Sequence, residues 1–60
     1  MPVVIVEMWE GRTVEQKRQL VEGITSVMTE VGIPQAEVHI IIKDNPKYNW
    51  ASDGRLASEK

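Results

Sequence analysis

Two short β-branched runs, Val3-Val4-Ile5-Val6 and Ile40-Ile41-Ile42, bracket one amphipathic helical stretch, and this order leaves a sixty-residue chain few folds. The first run continues through Glu7 and Met8 without clean alternation, the pattern of a strand covered on both faces, as parallel strands are. The helix starts at Thr13, whose hydroxyl can take the N–H of Gln16 while Gln16 reaches back, a capping box. Glu15 in its first turn suits the positive end of the helix dipole. Leu20, Val21, Ile24, Val27, Met28 and Val31 recur at helical spacing and form one apolar stripe. Gly32 is placed to end the helix, with Pro34 just beyond to prevent its continuation. Val38 to Lys43 is the second strand. Strand, helix of about five turns and strand make a β-α-β unit, with parallel strands and a right-handed crossover. The fold class is α/β.

Beyond Asp44 turn formers dominate, through Asn45-Pro46-Lys47-Tyr48-Asn49-Trp50 and Ser52-Asp53-Gly54-Arg55. A loop or short hairpin packing on a neighbouring subunit accounts for Tyr48 and Trp50, which have no periodic apolar partner there. Residues 1–60 form one domain without repeats or linkers. One helix can cover only one face of a two-stranded sheet, and chains of this size bury only about 60% of their unfolded surface. With no cysteine to form disulfides, burial against copies of itself is the remaining route to stability, so a homo-oligomer is expected.

Composition narrows the function. A net charge of −2 argues against bulk attraction to nucleic acid. The longest apolar run, Pro2 to Val6, is far too short to span a bilayer, and nothing before it resembles the charged start of a signal peptide. A cytoplasmic protein with no membrane partner is expected. A lone histidine and no cysteine give no metal cluster. Ser26, Ser52 and Ser58 sit in no nucleophile elbow, and Gly11 stands alone rather than in a phosphate loop.

Two residues invite chemistry. Pro2 opens the first strand, where its missing N–H costs little; equally, loss of Met1 would expose its ring nitrogen as a secondary amine. Arg12, beside a helix start, is either a solvated loop charge or a carboxylate clamp, since its planar fork takes carboxylates bidentately. Together, Met1-Pro2, Glu10-Gly11-Arg12-Thr13, Glu15-Gln16-Lys17 and a closing Leu56-Ala57-Ser58 resemble the 4-oxalocrotonate tautomerase family over essentially the whole chain.

That resemblance implies a homo-oligomer, usually a hexamer built as a trimer of dimers. It implies a cofactor-free enzyme that moves a proton between carbons of a small enol or dienol carboxylate such as 2-hydroxymuconate. Its general base is the amino-terminal proline, here Pro2. A reference α-amino group titrates near ~7.7–8.0, and burial among Val4, Val38 and Ile40 would lower that value toward the useful range. Arg12 matches the arginine that holds a substrate carboxylate, commonly from a neighbouring subunit. Trp50 falls where the family carries an aromatic pocket wall, although interface packing would account for it equally. His39 occupies the place of the family's second arginine, which binds the substrate's other end and stabilises enolate charge. An imidazole can donate one hydrogen bond there but cannot clamp; otherwise it is a half-buried strand histidine. Lys43 or Arg55 would then have to supply the missing cation.

The same scaffold with protonated Pro2 as an acid would serve hydration or dehalogenation of unsaturated acids, with Glu7, Glu10 or Asp53 to activate water. A third reading is a binding module in which Lys43, Lys47, Tyr48, Trp50 and Arg55 hold single-stranded nucleic acid.

Overall fold

The computed structural model describes all residues from Met1 to Lys60. Strand β1 spans Val3–Trp9, helix α1 Val14–Glu30 and strand β2 His39–Asn45, with a 3-10 turn at Gln35–Glu37 between α1 and β2. β1 and β2 pair in parallel, from Val3 opposite His39 to Trp9 opposite Asn45. A second 3-10 turn, Lys47–Asn49, leads into β3 (Ala51–Ser52) and β4 (Arg55–Leu56), an antiparallel hairpin followed by a last turn at Ala57–Glu59. The link between β3 and β4 is Asp53-Gly54, both at positive φ (53° and 73°), as a two-residue type I′ turn requires. The expected β-α-β unit and short C-terminal hairpin are both present.

Local chemistry sets the helix ends. The N–H of Gln16 donates to Thr13 Oγ1 at 3.1 Å while Thr13 N–H donates to Gln16 Oε1 at 3.0 Å, completing the capping box. At the other end Gly32, at φ 98°, donates to Thr29 O, and Ile33 N–H donates to Met28 O. This pair of bonds is the Schellman arrangement, which only a residue tolerant of positive φ completes without strain. Lys17 bonds Asp44 at 2.6 Å and so ties the start of α1 to the end of β2.

Burial alternates along both strands. Val4, Val6, Met8, Ile40 and Ile42 are half-buried, and Val4 lines one groove with Leu20, Ile24 and Met28 of α1. The opposite face is open, with Val3 49%, Ile5 54% and Ile41 46% exposed. No residue is fully buried. The accessible surface of 4597 Å² exceeds the roughly 3,950 Å² expected of a folded monomer of this mass. The radius of gyration of 14.4 Å likewise exceeds the roughly 10.4 Å of a compact sixty-residue chain. A single copy therefore leaves apolar surface unused.

Two boundaries and the extent of the buried helix stripe differ from expectation. Trp9 extends β1 one residue beyond the run that ends at Met8, because β2 runs on through Asp44 and Asn45 and pairs with it. Val38 closes the preceding 3-10 turn, its N–H donating to Gln35 O, instead of opening β2. Val27 and Val31, counted in the apolar stripe, are 59% and 70% exposed. Two strands about 4.8 Å apart make a sheet too narrow to cover all six stripe residues. No helix of the chain is long and apolar enough to cross a membrane.

Candidate active site

Parallel pairing puts the starts of both strands at one end of the sheet. Pro2 lies there, half-buried, immediately before the first paired residue. Its carbonyl accepts the N–H of His39 at 3.1 Å, so the ladder holds it in place although it has no N–H to donate. Val4 and Ile40 are paired neighbours just inside this end, and Val38 is half-buried beside them. The three apolar residues expected around Pro2 therefore gather at its end of the sheet. His39 sits on the open face in line with Ile41, and its side chain makes no hydrogen bond or ion pair.

The other two expected residues lie at the opposite end. β1 places about 20 Å between Val3 and Trp9, and Arg12 follows three residues later. Arg12 and Trp50 line one open concavity of about 560 Å³ together with Met8, Trp9, Glu10, Gly11 and Lys47. Trp50 packs edge-on against Trp9, with ring centroids 5.9 Å apart at 76°. Lys47 Nζ lies 4.8 Å above the centroid of Trp9. The loop that carries Trp50 is tied down by Trp50 N–H donating to Lys47 O and Ala57 N–H donating to Trp50 O at 2.7 Å. Asn45 closes the strand end, its side-chain amide donating to Glu7 Oε1, Met8 O and Lys43 O.

Within one copy, then, Pro2 meets His39 and Arg12 meets Trp50, but the two pairs stand at opposite ends of the sheet. Neither cation named as a substitute at His39 is free: Lys43 faces Glu7 at 4.0 Å and Arg55 donates to Glu59 O at 3.1 Å. Of the residues that suggested nucleic acid, Lys47 lies over Trp9 and Trp50 meets Trp9 edge-on. Trp9 and Lys47 are the wall residues that sequence reasoning missed. The available signal was the pair of tryptophans that follow the two strand runs, which parallel pairing brings to one end of the sheet.

The sequence pattern of the tautomerase enzyme family matches residues 2–60. The chain belongs to that family and is an isomerase. The 2-hydroxymuconate tautomerase of Comamonas testosteroni is 43% identical over 60 residues, covering 98% of this chain and 95% of that relative. The crystal structure of YwhB, a homologue of 4-oxalocrotonate tautomerase, superposes with a TM-score of 0.94 at 38% identity, over 98% of each chain. A heterohexameric 4-oxalocrotonate tautomerase from Chloroflexus aurantiacus J-10-fl matches with a TM-score of 0.91 at 32% identity, over 98% of this chain and 97% of that one. The tautomerase match begins at Pro2 and leaves Met1 outside it.

Proposed function

We propose that this tautomerase acts without a cofactor on small 2-hydroxy-dienoic or 2-oxo acids of the 2-hydroxymuconate kind. It works as a homo-oligomer, a hexamer built as a trimer of dimers, with Pro2 as general base after loss of Met1. The observation that carries this reading is the split site: Pro2 and Arg12 stand at opposite ends of β1, and the sheet face between them is open. A second copy across that face supplies both the missing cover and the missing half of the site. Met1 is 82% exposed, open to removal.

With Met1 gone, the ring nitrogen is a secondary amine fixed by the strand ladder. The amine takes a proton from one position of the dienol acid and returns it at a carbon further along the conjugated chain, so it ends the cycle unprotonated as it began. Arg12 of another copy holds the carboxylate through two parallel hydrogen bonds. The indole of Trp50 makes that pocket apolar, which strengthens the ion pair. His39 offers one hydrogen bond to the developing enolate oxygen.

Mass spectrometry of the purified protein, followed by a pH–rate profile on 2-hydroxymuconate, tests this. The expected outcome is a mass lacking Met1 and a kcat/KM that rises with pH through the titration of the amine, then levels. A retained Met1 would remove the base. A profile that falls as pH rises through that titration would instead assign Pro2 the acid role of a hydratase or dehalogenase.

A further inference from the structure

Seven lysine and arginine side chains are present, and five of them are committed to oxygen partners. Lys17 bonds Asp44, Arg18 bonds Glu15, Lys43 faces Glu7, Arg55 donates to Glu59 O and Lys60 donates to Ser52 Oγ. The remaining two, Arg12 and Lys47, both line the concavity walled by Trp9 and Trp50. Its volume of about 560 Å³ falls within the ~300–1,000 Å³ usual for small-molecule pockets. Glu10, also on its wall, is paired with neither cation.

We propose that Lys47 is a second anion-binding cation of this site and takes the substrate carboxylate that Arg12 does not hold. This rests on the tautomerase reading above and adds a residue to it. The position of Lys47 is built into the backbone. Pro46 precedes the turn, Asn49 N–H donates to Pro46 O at 2.9 Å, and Trp50 N–H donates to Lys47 O at 3.2 Å. The ammonium rests over the Trp9 ring, which attracts a cation without neutralising it. It is thus held in place with its charge still available. Arg12 takes one end of the ligand as a fork, and Lys47 takes the other as a point charge. His39, with a single hydrogen bond to give, need not carry the second carboxylate.

The chain's two tryptophans are the two walls of this concavity, so ligand entry is read directly as a change in indole fluorescence, without turnover. The probes are muconate and sorbate, dienoic acids of equal chain length that differ in the second terminal carboxylate. The full-length protein as isolated is expected to bind muconate about ten-fold more tightly than sorbate. Lys47→Met, which keeps the apolar stem over Trp9, is expected to weaken muconate binding about five- to ten-fold and to change sorbate binding less than about two-fold. Lys47→Arg is expected to keep the preference. A wild-type protein without preference for muconate overturns the proposal. So does a Lys47→Met variant that weakens both ligands equally, as collapse of the tryptophan wall would. Lys47→Gln replaces the Met variant if that one does not assemble. A protein that prefers muconate yet turns over no 2-hydroxy-dienoic acid leaves this assignment standing and sinks the catalytic reading.

Discussion

The two ends of the parallel sheet are built from opposite materials. At the end where both strands begin stand Pro2, Val38 and His39, with Val4 and Ile40 just inside and no ion pair among them. At the end where both strands finish, Lys17 meets Asp44, Asn45 meets Glu7, Lys47 lies over Trp9, and Arg12 stands unpaired. The contrast follows from topology. In a parallel pair everything that precedes the strands collects at one end, and everything that follows them at the other. Pro2 and Arg12 are therefore kept apart within one copy.

The largest effect is expected from separating the halves on different chains. Pro2→Ala is expected to lower turnover of 2-hydroxymuconate about 10²–10⁴-fold, and Arg12→Ala to weaken carboxylate binding by about 1.5–3 kcal/mol. Co-refolding the two impaired variants in equal amounts should restore about one quarter of wild-type activity at low substrate concentration, because random assembly reunites an intact Pro2 with an intact Arg12 at that fraction of intersubunit sites. No recovery on mixing would place both residues in the same copy's site. The next effect concerns the face between the two ends. Ile5→Asp puts a carboxylate on a surface that is 54% exposed in one copy. If a second copy covers that surface, burial of the charge costs several kcal/mol, and sedimentation should show smaller species at micromolar concentration. An unchanged assembly would mean that this face stays open. The smallest effect lies at the cationic end. Thr13→Ala removes one bond of the capping box and should cost about 1 kcal/mol in urea unfolding while leaving kcat unchanged.

Much of this was legible in the residues. Thr13 and Gln16 announce the helix start through a bond that needs only their own backbone, and Gly32 announces its end through positive φ. Such local devices survive in sequence because no distant partner is needed. Trp9, Asp44 and Asn45 were less legible because their strand conformation comes from cross-strand pairing, Met8 with Asp44 and Trp9 with Asn45, against the low strand preference of Asp and Asn. Val27 and Val31 keep the helical spacing of the apolar stripe, yet a two-stranded sheet has no surface left for them. Arg12 and Pro2 could be named from sequence as candidates. Their separation along β1, and the gathering of Trp9 and Lys47 around Arg12, depend on register and on the path of the C-terminal loop, which spacing does not encode.

The length of β1 sets a distance as well as a shape. Each added residue would lengthen the strand by about 3.4 Å and turn every later side chain to the other face. Two added residues would restore the faces but shift Arg12 by nearly 7 Å relative to Pro2, in every copy at once. In the proposed symmetric assembly no copy would escape such an error, and the strand would work as a ruler whose gradations are shared by all subunits. Length change is cheap in the β3–β4 hairpin, whose tip at Asp53-Gly54 lines none of the concavities around Arg12, and ruinous in the seven residues of β1.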